Sequence, residues 1–153
     1  MIQLLNFTSL NLIQKELILS WRNHPDIRKW MIDENKITLK DHLHFIDLLA
    51  TKTDKRYFLV QKESSYLGVI DLTNITVDSA ELGIYANPDM RGIGSTLMGA
   101  LIDYATSQGI SKLIANVFSN NVRACHLYKR FNFTETEQAK HNNKRMLTLE
   151  RVL

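Results

Sequence analysis

The chain has 153 residues, 44% of them hydrophobic and 23% charged, with one cysteine, two prolines and six glycines. That length suits one globular domain of the usual size, and the longest uncharged apolar-rich stretch, Ile93 to Ile102, falls far short of the roughly 20 residues a bilayer span needs. Lone Cys125 excludes an internal disulfide and a cysteine-based zinc site; the net charge of +3 contains no block of five like charges, so neither nucleic acid nor a membrane surface is an expected partner.

Met1-Ile2-Gln3-Leu4-Leu5 carries neither a basic leader nor a cleavage site, so the expected location is the cytoplasm. Ile2 to Phe7 reads as a first strand. Leu10, Ile13, Leu17 and Trp21 recur at helical spacing, and that helix ends near Arg22-Asn23-His24-Pro25, because the residue before a proline disfavours the helical region. A further short helical turn runs through Trp30 and Met31. Thr38 with Asp41 three residues on predicts a capping box, ahead of a stripe of Leu39, Leu43, Ile46 and Leu49.

Arg56 to Lys62 and Tyr66 to Thr73 are β-rich runs joined across Glu63-Ser64-Ser65, and Ser79 to Tyr85 is a third. Helical periodicity returns from Gly92 to about Ser107, with Leu97, Met98, Leu101, Ile102 and Ala105 on one face. Lys112 to Phe118 reads as a strand and Asn120 to Phe131 as a helix aligning Ala124, Leu127, Tyr128 and Phe131. Phe133 to Ala139 and Arg145 to Val152 form a hairpin about Asn142-Asn143. No repeat or linker divides the chain. The expectation is one mixed α/β (α+β) domain over residues 1–153.

The segment richest in chemistry is Asn87-Pro88-Asp89-Met90-Arg91-Gly92-Ile93-Gly94-Ser95-Thr96-Leu97. A strand enters a glycine-containing loop that opens a helix, and the first N–H groups of a helix are unpaired donors at its positive end, suited to phosphate. The spacing fits neither a dinucleotide fingerprint, since Leu97 stands where the third glycine belongs, nor a Walker loop, which needs Gly-Lys-Ser/Thr. An ordinary glycine turn ahead of a helix has the same outward form. The second segment, Asn121-Val122-Arg123-Ala124 followed by Leu127-Tyr128-Lys129-Arg130-Phe131-Asn132-Phe133, separates the two readings.

Together these segments resemble the GNAT superfamily of N-acetyltransferases, with its Gln/Arg-x-x-Gly-x-Gly/Ala loop and its Asn-x-x-Ala-x-x-Leu-Tyr helix. Two positions depart from that pattern: Asp89 stands at the usual Gln/Arg, and Asn132 replaces the glycine of the usual Gly-Phe ending. Asp89 is expected to point to solvent, with Arg91 supplying the cation. The resemblance implies a central, mostly antiparallel twisted sheet of about seven strands flanked by about four helices. It also implies direct acetyl transfer from acetyl-CoA to an amine in a ternary complex, without a metal. In that reading Leu82, Gly83 and Ile84 lie on a strand splayed by a bulge, where a backbone N–H polarises the thioester carbonyl. The amides of Arg91, Gly92, Ile93, Gly94 and Ser95 hold the pyrophosphate, Asn121 contacts the pantetheine arm, and Ala124 completes the cofactor set.

Tyr128 is implied as the acid. A phenol near pH 10 stays protonated at neutral pH and can donate to a leaving thiolate; the same position also serves a core aromatic on any helix. Glu81 is the candidate base, and equally a cross-strand ion-pair partner. His126 precedes the Leu127-Tyr128 pair and reads as a surface histidine, and Cys125 as a small packing residue.

For the acceptor, Trp21, Arg22 and the following Asn23-His24-Pro25-Asp26-Ile27 offer an aromatic face and a guanidinium at a helix break, suited to a stacked ring plus phosphate. In the blander reading Trp21 packs and Arg22 pairs with Asp26. His42 and His44 are two apart and cannot share a metal; one of them could reach a diphosphate. Asp71 and Asn74 end the third strand beside the acceptor, and Tyr85 completes the set. The run Trp21 to Ile27, His42-Leu43-x-Phe45-Ile46, Tyr57-Phe58-Leu59-Val60, Gly68-Val69-Ile70-Asp71 and Asn74-Ile75-Thr76 more closely resemble the N-acetyltransferases of pseudaminic acid synthesis. That implies a UDP-amino-sugar substrate and a product used to glycosylate flagellin or surface polysaccharide; a homodimer is the expected assembly. Acetylation of a protein N-terminus or an aminoglycoside, or a non-catalytic acyl-CoA module, are the competing readings.

Overall fold

Asn11 starts the first helix. Its Oδ1 accepts from the Gln14 N–H at 2.9 Å while the Gln14 Oε1 accepts from the Asn11 N–H at 3.0 Å, a reciprocal cap that satisfies two otherwise orphaned donors. Because α1 (Leu12–Arg22) begins only after this cap, the expected stripe is rephased. Ile18 and Trp21 face the core and Ile13 is 80% exposed. Thr38 caps α3 (Leu39–Leu49) by accepting from the Asp41 N–H at 3.1 Å, without the reciprocal bond. Between them lies only α2 (Pro25–Arg28), four residues with proline in its first turn.

The computed structural model describes residues 1–153. After β1 (Ile2–Asn6) and the helices above come β2 (Arg56–Lys62), β3 (Ser65–Thr73), β4 (Ser79–Ala86), α4 (Gly94–Ser107), β5 (Lys112–Phe118), α5 (Val122–Arg130), β6 (Thr134–His141) and β7 (Lys144–Val152). The β6–β7 turn consists of Asn142 and Asn143 alone, both at positive φ (50° and 64°), the geometry that matches hairpin twist and that asparagine tolerates. The mixed α/β fold has a seven-stranded sheet ordered β1-β2-β3-β4-β5-β7-β6 and five α-helices, against the about four implied; the expected short helical turn falls at Pro25–Arg28, ahead of Trp30 and Met31. No helix is long and apolar enough to cross a membrane.

Only β4 and β5 run parallel, and they pair at three positions: Ser79 with Lys112, Ala80 with Leu113 and Glu81 with Ile114. Beyond Glu81 the strands part. No bulge lies in the β3–β4 ladder, which runs unbroken from Thr73–Glu81 to Gly68–Ala86. The gap opens because β5 carries on pairing with β7 while β4 stays with β3. Strand alternation sends Val60, Ile70, Leu72, Leu113 and Ala115 to one face, where α4 and α5 cover them with Leu97, Met98, Leu101 and Cys125. On the opposite face α1 and α3 pack Ile18, Trp21 and Ile46 over Leu59 and Val69. That second cluster takes nothing from β5, β6 or β7, so the cleft opens beside it.

Candidate active site

Strand β4 delivers the chain to Asn87, whose side chain donates to the Tyr66 carbonyl at 3.0 Å and accepts from the Asp89 N–H at 3.0 Å. That bracing turns Asp89 outward into solvent, as expected. Gly92 then takes a φ of +72° with open space where a Cβ would stand, a conformation costly for most side chains other than asparagine and aspartate. At the start of α4 the N-cap is Ile93, which makes no capping hydrogen bond. Asn11, Thr38 and Asn121 cap α1, α3 and α5 with side chains. The first N–H groups of α4 therefore remain free at the positive end of its dipole, and Arg91 and Ser95 are exposed beside them. Arg130 of α5 donates to Ser95 Oγ at 3.2 Å. This cradle fits a pyrophosphate.

Helix α5 is closed at both ends by local chemistry. Asn121 caps it by accepting from the Ala124 N–H at 3.3 Å, which leaves the side-chain NH2 of Asn121 free, while its backbone N–H donates to the Phe118 carbonyl at 3.0 Å. At the far end Asn132 sits at φ 67°, its N–H donating to the Lys129 carbonyl at 3.0 Å, and the Phe133 N–H donates to the Tyr128 carbonyl at 3.0 Å. This pair of bonds about a left-handed residue is a Schellman closure, for which asparagine substitutes for glycine. The Asn132 departure thus keeps its geometry. The closure folds Phe133 back so that its ring meets Tyr128 edge-on, 5.5 Å between centroids. Tyr128 is 8% exposed, yet its hydroxyl has no partner in the protein and is not sealed from solvent. Burial holds that phenol well above its ordinary value of 10. Cys125 packs, its thiol likewise raised by burial, and His126 is exposed.

Two carboxylates meet at the fork of β4 and β5. Glu81 accepts from the side-chain amides of Asn74 and Asn116, one to each oxygen. Thr148 of β7 fixes the Asn116 amide by donating to its carbonyl at 2.7 Å. Asn74 therefore clamps Glu81, from a left-handed backbone (φ 48°). Asp71 pairs across the ladder with Gly83, and its carboxylate occupies the volume a Gly83 side chain would fill: a Cβ there would stand 2.6 Å from Oδ1. Asp71 accepts no hydrogen bond, and desolvation of its half-buried carboxyl, with the facing charge of Glu81 second, pushes it up to about 7. Leu82, Gly83 and Ile84 form the adjoining edge of the gap.

The acceptor candidates divide. Arg22 is half-buried near Tyr57 and Tyr85; one nitrogen donates to the Asp33 carbonyl at 3.1 Å and Nη1 has no partner. Its pairing with Asp26 does not form; Asp26 instead lies 3.8 Å from Lys29. Burial raises both phenols, so they stay protonated. Two expectations are corrected. Trp21 is 3% exposed inside the α1–α3 cluster and has no face left for a ring to stack on. His42 is 5% exposed, its Nε2 against the Lys15 carbonyl at 2.9 Å, and so ties α3 to α1 rather than reaching a diphosphate.

Residues 16–133 match the Acetyltransferase (GNAT) family. The chain belongs to that family. It is 43% and 42% identical, over 141 residues, to the acetyltransferases PseH of two Campylobacter jejuni strains, covering 92% of this chain and 89% of each relative. The crystal structure of Campylobacter jejuni N-acetyltransferase PseH in complex with acetyl coenzyme A superposes with a TM-score of 0.84 at 35% identity, over 99% of both chains. A spermidine N-acetyltransferase from Vibrio cholerae shares the fold at a TM-score of 0.87 and 20% identity, over 99% of this chain and 95% of that one. This GNAT chain is therefore an N-acetyltransferase by family and by fold.

Two polar residues at the fork, Asn116 and Thr148, escaped the sequence reading, as did the role of Tyr57, which pairs with Asp71 across β2 and β3. Asn116 and Thr148 sit directly opposite one another across β5 and β7, a relation that only the register reveals. A usable signal was Gly83, a glycine inside a strand, which marks a close approach by another group. That group is Asp71.

Proposed function

We propose that this enzyme transfers the acetyl group of acetyl-CoA to the 4-amino group of a UDP-linked 4-amino-4,6-dideoxy-N-acetyl-altrosamine, a step of pseudaminic acid synthesis. The observation that carries the reading is the extent of the PseH likeness. It spans 92% of the chain, including the α1–α3 half that borders the acceptor cleft, whereas the cofactor half is common to the family. The uncapped α4 with Arg91 to Ser95 holds the pyrophosphate, Asn121 and Ala124 line the pantetheine arm, and an N–H of Leu82 to Ile84 meets the thioester carbonyl. Acetyl-CoA supplies the activated acyl group; direct transfer needs no metal.

Tyr128 protonates the departing sulfur, and the Asp71–Glu81 pair receives the proton from the amine. The half-buried guanidinium of Arg22, with its unpartnered Nη1 beside Tyr85, faces the nucleotide's phosphates. The enzyme works in the cytoplasm, upstream of flagellin glycosylation. It acts as a homodimer.

The test is free-thiol release from acetyl-CoA with a panel of amines. The UDP-4-amino sugar is expected to turn over at least about tenfold faster, by kcat/KM, than peptide N-termini, spermidine or aminoglycosides. Turnover of any of those without the sugar nucleotide refutes the acceptor.

A further inference from the structure

We infer that Asp71 takes the proton released by the attacking amine, and that Glu81, clamped between Asn74 and Asn116, is a positioning residue. The inference rests on the proposed acetyl transfer and divides the work within its carboxylate pair.

The geometry separates two side chains that look alike in sequence. Both nearby amide donors go to Glu81, one to each of its oxygens, and Thr148 locks the second donor in place. Glu81 is thus held in place, with one amide donor on each of its oxygens. Asp71 receives no hydrogen bond, and its carboxylate lies over Gly83, against the strand edge where the thioester carbonyl is bound. A residue with a side chain at position 83 would exclude it. The groups facing Asp71 are Lys55 just ahead of β2, Tyr57 on β2, Glu81 and Tyr85 on β4 and Tyr128 on α5, while Arg22 on α1 faces Tyr57 and Tyr85. Glu81 is the only other acid among them. Desolvation, and after it the charge of Glu81, bring Asp71 to about 7, a base strength matched to a weakly basic sugar amine at neutral pH.

In the step itself the amine nitrogen bonds to the thioester carbonyl carbon and the carbon–sulfur bond breaks. Sulfur leaves with that electron pair and takes the Tyr128 hydroxyl proton. The nitrogen loses its proton to an Asp71 oxygen. Asp71 afterwards gives a proton to solvent and the Tyr128 phenolate regains one, so the net change is amide plus free thiol.

The experiment records kcat against pH, between about pH 5 and pH 9, for wild type, Asp71→Asn and Glu81→Gln with acetyl-CoA and the UDP-4-amino sugar. Asp71→Asn is expected to lower neutral-pH kcat about 100-fold and abolish the acidic limb, with the KM for acetyl-CoA unchanged. Glu81→Gln is expected to keep the limb but move it to lower pH, because the charge facing Asp71 is gone. A limb that survives Asp71→Asn, or one that vanishes only in Glu81→Gln, overturns the assignment. Carbon-13 NMR of the Asp71 carboxyl needs no acceptor. If the wild type acetylates no sugar nucleotide, the acceptor reading falls and this titration decides Asp71 alone. A near-neutral midpoint that drops in Glu81→Gln upholds the pairing; an ordinary aspartate midpoint refutes it.

Discussion

Replacing Tyr128 by phenylalanine removes one hydroxyl from a ring that is otherwise fully packed. That hydroxyl has no hydrogen-bond partner in the protein, so no buried donor or acceptor is orphaned by its loss. The edge-on contact with Phe133 at 5.5 Å persists. Stability should change by no more than about 0.5 kcal/mol, or roughly 2 °C in Tm for a chain of this size. Catalysis behaves differently. A donor aimed at developing charge on a leaving group is worth about 100- to 1000-fold, or roughly 2.7–4 kcal/mol of barrier. Burial holds the phenol well above 10, so it stays protonated through neutral pH and the wild type shows no alkaline decline from Tyr128 there. Thiol release gives kcat, a binding titration gives the acetyl-CoA affinity, and thermal unfolding gives Tm. Turnover within about threefold of wild type refutes Tyr128 as the acid, and a fall in Tm of more than about 5 °C refutes the unpartnered hydroxyl.

Asn132→Ala places a Cβ-bearing residue at φ 67° and should destabilise the fold by about 1 kcal/mol, whereas Asn132→Gly should be neutral or slightly stabilising; chemical denaturation distinguishes them, and equal effects refute the closure. Asp71 gives a stability signature as well as a kinetic one. Its folded-state value near 7 lies above the ordinary 3.8, so the folded chain retains a proton that the unfolded chain has lost. Its contribution to stability therefore falls as pH rises through the window from about 4 to 7 and is flat above it. Urea unfolding of wild type against Asp71→Asn should show a steeper decline for the wild type in that window; identical slopes refute the shift.

The strands and the two cofactor segments were legible because their signals are local. Alternation marks β2 to β4, Asn142-Asn143 marks a two-residue turn, and the Gly92-x-Gly94 loop with Asn121 to Tyr128 lies within short stretches of chain. Misreadings came where a residue's meaning depends on helix phase. His42 shares its helical face with Ile46 and Leu49, and Trp21 shares its own with Ile18; both are core positions by period, despite residue types that suit a ligand. What could not be read was the division between Asp71 and Glu81. It depends on the β3–β4–β5 register, which brings Asn74 and Asn116, 42 positions apart in the sequence, to the same carboxylate.

The three-residue pairing of β4 with β5 also makes a reporter. It is the one ladder joining strands β1–β4 to β5–β7, so the sheet's weakest seam runs through its reaction centre. In the free enzyme, the amides of residues 82–86 that face away from β3 have no strand to shield them and exchange hydrogen readily. A molecule wedged into the fork takes the place of the missing strand. Slowed exchange on that short stretch therefore reads occupancy of the fork directly, in a mixture and without turnover, and distinguishes a ligand seated between the strands from one held only at the α4 cradle.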